Sequence, residues 1–373
     1  MRRVVPYLAG ACWALVICAA ADVSAAPLSR PSRPGERPAA VRPAPPRSTV
    51  AESAGVAAVG NKRASSAKRN KAAETMDVTV FARQHGLTLQ WLEPGKRFQL
   101  KGNGASVEFE VGSREFAING ARAFLGEAIR MPEKKALISR IDAARFVGPM
   151  LRPSAAGPAP ALRIIALDPG HGGRDSGKVN PRLKVSEKTL TLDMVNRMKP
   201  LLEKQGYRVV LTRTEDRFVE LAERAEIADR AGADLFISVH FNSVESGAER
   251  VTGVEVFTMT PQHQLSTDQN PDSQASKANP GNLYDGWNAV LGHCLHKAML
   301  DDMKVPDRGL KHGRLAVLRL SSCPAALVEA GYLSHPDETR KLMKPAYRQQ
   351  IAEALADGVR NYARALESAR KKR

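Results

Sequence analysis

Beyond its first 26 residues the chain has no apolar run long enough to cross a bilayer, which excludes a protein of several membrane spans. Cysteine is scarce. Of four, Cys12 and Cys18 fall in that leading segment, leaving only Cys294 and Cys323. Two thiols allow at most one disulfide, their spacing does not say whether they meet, and the chemistry lies elsewhere. Acidic charge is also in short supply, since 56 Lys and Arg face 39 Asp and Glu for a net +17. Residues 27–75 alone hold ten basic and three acidic side chains. Such a surplus suits any polyanion, whether nucleic acid, membrane surface or bacterial wall, and does not choose among them. The 373 residues are 43% apolar and 25% charged, which is ordinary for a soluble chain of two or three domains.

The leading segment addresses the compartment. Arg2 and Arg3 precede an apolar stretch over 4–21, interrupted by Pro6, and Val23-Ser24-Ala25 supplies small residues at −3 and −1 of a cleavage site. We expect a signal peptide over 1–25, cut after Ala25, because a cut after Ala26 would leave Pro27 at the new terminus. Cys12 lies inside the apolar stretch rather than after it, so it does not mark a lipoprotein site. The mature protein is expected in a periplasm or outside the cell, meeting membrane only during export. Export argues against nucleic acid, and a polyanionic wall serves the same electrostatics.

Residues 26–75 read as an extended cationic linker: 27–47 hold seven prolines and five arginines, and 48–75 are rich in Ala, Ser, Lys and Arg without apolar periodicity. Residues 76–150 read as a small α+β domain. A helix over 78–85 is followed by short alternating strands at Leu87-Thr88-Leu89-Gln90-Trp91, Phe98-Gln99-Leu100, Val107-Glu108-Phe109-Glu110-Val111 and Phe116-Ala117-Ile118, then a helix over 138–146. Its layout, with Asn119-Gly120 between strands, resembles the copper-amine-oxidase N-terminal-like stalk domain, without a copper-ligand cluster; a spacer or wall-binding module is expected.

From Arg163 the pattern changes to strands alternating with helices, which predicts one α/β domain over 160–368 with a mostly parallel sheet covered on both faces. Sites in such folds form at the carboxyl ends of strands. His171 follows the first strand in Asp168-Pro169-Gly170-His171-Gly172-Gly173, His240 ends Ile237-Ser238-Val239-His240 with Asn242 just beyond, Glu329 ends Ala326-Leu327-Val328-Glu329, and Glu187 opens a helix. Two histidines and one carboxylate make a three-ligand zinc set with a fourth position left for water, whose pKa such a metal lowers to about 7. A further carboxylate can then take the proton. Each residue alone has a plainer reading: a hydrogen-bonded surface histidine, or a Glu that complements a helix dipole. Glu329 is harder to dismiss, because an unpaired carboxylate after a buried run is costly. His293 and His296, three apart on a helix, form a rival metal pair without a carboxylate motif.

The segments Leu167-Asp168-Pro169-Gly170-His171-Gly172-Gly173, Ser186-Glu187-Lys188, Leu211-Thr212-Arg213, Ser238-Val239-His240-Phe241-Asn242 and Val328-Glu329-Ala330-Gly331-Tyr332-Leu333-Ser334 resemble, in order and spacing, the zinc-dependent N-acetylmuramoyl-L-alanine amidases of type 3. Arg308-Gly309-Leu310 and Val317-Leu318-Arg319 match a further block. The resemblance implies one zinc held by His171, Glu187 and His240, with Glu329 as the catalytic carboxylate. Asn242 and Arg213 would bind substrate or support the site. The implied reaction is hydrolysis of the amide between N-acetylmuramic acid and L-alanine in peptidoglycan. Tyr332 stands where Phe is common in the family and His335 where Asn is common, and neither removes a catalytic atom. Some relatives carry a segment that blocks the site until an activator protein moves it; the polar loop 260–285 shows no amphipathic helix, so strong self-occlusion is not expected. The alternatives are a zinc peptidase acting within the stem peptide and a catalytically silent wall-binding protein.

Overall fold

The computed structural model describes residues 74–267 and 275–371. The expected signal peptide, nearly all of the expected linker, and Cys12 and Cys18 lie outside the described residues. The first strand, β1 (Thr75–Asp77), leads into α1 (Val78–Gln84), where the Asp77 carboxylate accepts the Thr79 N–H as an N-cap. A meander follows: β2 (Thr88–Glu93), β3 (Arg97–Gly102), β4 (Ala105–Glu110), β5 (Glu115–Ile118) and β6 (Ala121–Phe124). Alternate residues Phe98, Leu100, Val107, Phe109, Phe116 and Ile118 are buried, so one face is apolar, as the two-residue period requires. β7 (Leu137–Ser139) pairs antiparallel with β1. The helix expected over 138–146 begins two residues late because Leu137-Ile138-Ser139 is taken by that strand; the helical run then continues over 140–151.

The second half supplies β8 (Ile164–Pro169), the hairpin β9 (Val179–Asn180) and β10 (Val185–Ser186), α2 (Glu187–Lys204), β11 (Arg208–Leu211), α3 (Leu221–Arg230), β12 (Leu235–Asn242) and β13 (Val254–Met259). It continues with α4 (Asp285–Met303), β14 (Asp307–Gly313), α5 (Ala316–Leu320), β15 (Ala325–Tyr332), α6 (Pro336–Leu342) and α7 (Pro345–Lys371). One sheet in the order β11-β8-β12-β15-β13-β14-β6-β5-β4-β3-β2 runs through both halves. The first four strands are parallel, β13 runs antiparallel to β15, and β14 is parallel to β13, so this part is mostly parallel as expected. The meander joins it at a single register point, Leu310 opposite Ala123.

The two faces differ. Ile165, Leu167, Ile237, Val239, Val256 and Val328 face the larger core with α2, α4 and α7. The alternate residues Ala166, Phe236, Phe257, Ala325 and Leu327 face a smaller cluster with Val317 and Leu318 of α5 and Ala228 of α3. Strand period two therefore sends Asp168, Ser238, His240, Glu255 and Glu329 to this second, thinly covered face. Cys294 packs against the first core and Cys323 lies in the second, as free thiols on opposite sides of the sheet.

Because β13 is antiparallel to β15, its last residue, Met259, lies at the sheet end away from the carboxyl ends of β8, β12 and β15. The loop that follows leaves from there. Its described part is tied to the N-terminal half: Arg114 Nη2 donates to the Leu265 and Ser266 carbonyls, and Gln264 Nε2 donates to Ser139 Oγ at 2.8 Å.

Candidate metal centre and catalytic carboxylate

The turn after β8 is built for one imidazole. His171 itself has φ +62, followed by Gly172 at +129 and Gly173 at +57. A left-handed histidine is strained, and such strain persists only where surrounding contacts over-determine it. Those contacts are present. Arg224, buried, donates to the Pro169 and His171 carbonyls, and Arg213, also buried, donates to the carbonyls of Pro169, Gly170 and Lys188. Asp168 anchors the same region, accepting from Thr212 Oγ1, Ser238 Oγ at 2.7 Å and Arg224 Nη1 at 2.8 Å. Burial works against its charge, yet the Arg224 guanidinium and the two hydroxyls hold its carboxyl below the usual range.

Three side chains converge beside this turn. His171 Nε2 and His240 Nδ1 each lie 3.0 Å from Glu187 Oε1, and one donor atom from each of the three residues lies within 4.8 Å of the others. Glu187 opens α2 behind the β9–β10 hairpin, and its Oε2 accepts the Lys178 N–H at 2.9 Å. Burial alone would raise this carboxyl, but hydrogen bonds from the two imidazoles and their charge hold it well below the usual range. Asp175 Oδ2, 2.8 Å from His171 Nδ1, fixes that ring so that Nε2 faces the cluster. Buried carboxylate and paired imidazoles at this spacing fit a divalent metal of zinc type, with His171 offering Nε2 and His240 Nδ1. Among the described residues this is the one such group of three. His293 and His296 belong to no such group among the described residues, and His296 Nε2 lies 3.0 Å from Asp307 Oδ1.

Glu329 stands in register with His240 on the neighbouring strand. Its Oε2 is buried without a hydrogen-bond partner. Burial, and next the charges of Glu187 and Glu255, push its carboxyl well above the usual value, with Lys311 opposing. A carboxyl perturbed in this way beside a cluster of metal-ligand type is a candidate for proton transfer. Asn242, two residues past His240, donates to Glu255 and lies 3.5 Å from the Tyr332 hydroxyl. Arg213, only 1% exposed, donates to four backbone carbonyls and to Thr191 Oγ1, the contacts of a residue that braces the turn. His335 caps α6, accepting the Glu338 N–H.

Sequence reasoning missed Asp168, Arg224, Asp175, Glu255 and Lys311. Asp175 and Asp168 were within reach, lying four residues after and three before His171; the others come from remote strands and helices.

A mostly parallel α/β sheet with two histidines at its strand ends, a glutamate at a helix start between them and a second glutamate on the neighbouring strand is an arrangement that suits a metal-dependent hydrolase. The model of the N-acetylmuramoyl-L-alanine amidase family matches residues 165–361, and the chain belongs to that family. It is 30% identical over 238 residues to the N-acetylmuramoyl-L-alanine amidase AmiC of Escherichia coli, covering 56% of this chain and 56% of that relative. It is 31% identical over 222 residues to AmiA of Escherichia coli, covering 54% of this chain and 76% of the relative. Among solved structures, an N-acetylmuramoyl-L-alanine amidase from Clostridium difficile is similar at 30% identity and a TM-score of 0.46, covering 54% of this chain and 97% of that one.

Proposed function

We propose that the chain hydrolyses the amide joining the lactyl group of N-acetylmuramic acid to L-alanine in peptidoglycan, with zinc held by His171, Glu187 and His240. The observation that carries this reading is Glu329, half-buried with its Oε2 lacking a hydrogen-bond partner, in register with His240 of the three-donor group. Zinc bound there would supply Lewis acidity, polarising the scissile carbonyl and making water a better nucleophile near neutral pH. Glu329 accepts the proton of the attacking water and returns it to the departing amine of L-alanine. Asp175 keeps His171 in one tautomer, and Asn242 borders the substrate side of Glu329. The proposed compartment follows from the signal-peptide reading, with the cationic linker adhering to the anionic wall and the 76–150 region serving as spacer or wall-binding module.

The test is digestion of purified peptidoglycan by the mature protein, with and without a chelator, and mass spectrometry of the products. Stem peptides beginning in free L-alanine and peptide-free glycan are expected, both lost on chelation. Glu329→Gln should lower kcat by about 10³-fold, the scale of a lost general acid–base group, while still binding zinc. Cleavage inside the stem peptide would replace the amidase assignment with a peptidase.

A further inference from the structure

On the two strands beyond Glu329 lies a buried ion pair that this reaction does not use. β13 places Glu255 directly opposite Glu329. Lys311 on β14 is opposite Phe257, and its side chain passes over that ring to bring Nζ within 2.7 Å of Glu255 Oε2. The two side chains are only 7% and 1% exposed. The other oxygen, Glu255 Oε1, accepts from Asn242 Nδ2. A chain of contacts therefore runs Lys311, Glu255, Asn242, ending two residues from His240, with Glu255 on the side of Glu329 away from His240.

Stability does not account for the pair. Taking both ions out of water costs several kcal/mol each, and apolar residues of the same volume commonly do as well or better. Nor does packing require it, since Phe257 and Leu327 already fill this face. What the pair does supply is a fixed negative carboxylate beside Glu329. Glu255 lies in register on the side of Glu329 away from His240, so a pinned Glu255 bounds the room into which the Glu329 carboxyl can turn on that side and leaves it the side of His240. Without Lys311 the Glu255 carboxylate would be a buried unpaired charge and would not stay in place.

We propose that Lys311 and Glu255 are positioning residues of the amidase site: Lys311 pins Glu255, and Glu255 bounds the Glu329 carboxyl on the side away from His240 and holds the Asn242 amide in place. Neither touches the reacting atoms. The inference rests on the amidase reading and adds residues outside the metal set.

The decisive variant removes both charges together, E255Q/K311M, so that no unpaired ion is left to unfold the chain. It is compared with K311R and the parent, all as the mature chain loaded with zinc, on a soluble muropeptide. The double variant is expected to bind one zinc and to melt close to the parent. Its kcat should fall at least tenfold while KM stays within twofold, and K311R should keep most of the parent kcat. In the metal-free protein, the Asn242 side-chain amide protons should move upfield in E255Q/K311M, because a charge-assisted acceptor is lost. A kcat within twofold of the parent overturns the proposal, as does an unmoved Asn242 amide. Loss of zinc, or melting far below the parent, assigns the pair to the scaffold and also overturns it. Should the zinc-loaded parent itself release no L-alanine-terminated peptide, the amidase reading fails first, and the comparison among variants is then not what decided it.

Discussion

Gly170 is where a single methyl group reports on the whole site. It ends the β8 turn directly in front of the His240 ring, and a Cβ added there would stand 2.6 Å from Nδ1 and closer still to Cε1 and Nε2. Carbon and nitrogen rest at about 3.5 Å, so ring or backbone must retreat by about 1 Å. The backbone is not free to give: Gly170 N–H donates to Val239 O at 3.1 Å, and its carbonyl accepts from Thr191 Oγ1 at 2.8 Å and Arg213 Nη2 at 2.9 Å. The ring therefore moves, and it carries the donor that faces Glu187. A misplacement of about 1 Å in a reacting constellation costs about 100-fold in rate. Gly170→Ala is expected to lower kcat/KM by about that factor and to weaken zinc binding, read by elemental analysis after dialysis. Gly232→Ala is the control. It has open space around it but φ +67, so it should cost about 1 kcal/mol of stability and leave zinc and activity alone. A Gly170→Ala protein with full zinc and activity within threefold of the parent would refute the site geometry.

Three further outcomes are expected. Arg213→Lys should destabilise by about 3 kcal/mol in urea unfolding, because the buried guanidinium serves five acceptors that an ammonium cannot reach together; a loss below about 0.5 kcal/mol would contradict its supporting role. His312, 1% exposed against Phe146, has its pKa pushed down to about 3 by burial and by Arg114 and Arg314. Its folded pKa lies below the unfolded 6.5, so its stability contribution is complete above pH 6.5 and is lost as pH falls toward 3. Between pH 7.5 and 5 the parent should lose about 2 kcal/mol more than His312→Gln, and equal slopes would show that the ring is not held neutral. Finally, chelation should lower the melting temperature and added zinc restore it, by about 2.7 kcal/mol at a hundredfold excess over Kd, with the response absent in His240→Ala.

Much of this was legible in order along the chain. Strand–helix alternation after Arg163 is a local pattern, and the parallel sheet follows from it, as do the positions of His171, His240 and Glu329 at strand ends. Glu187 was given a ligand role by the resemblance of Ser186-Glu187-Lys188 to the amidase family, since by itself it reads as an ordinary acidic residue at a helix start. That β6 would carry the sheet onward from β14 was not legible, since a single register point between remote strands leaves no periodic trace.

What the sequence determined by itself is therefore the set of elements and the side chains at their ends, because period and turn chemistry are read within a few residues. The tertiary structure alone decided which face those side chains share, that Arg213 donates to backbone carbonyls, that Cys294 and Cys323 lie on opposite sides of the sheet, and that Lys311 closes on Glu255 behind Glu329. Strand order is the physical reason. Residues that neutralise or orient one another here come from neighbouring strands separated by dozens of residues, and one strand turned antiparallel, β13, sets Glu255 opposite Glu329 and sends the following loop away from the site.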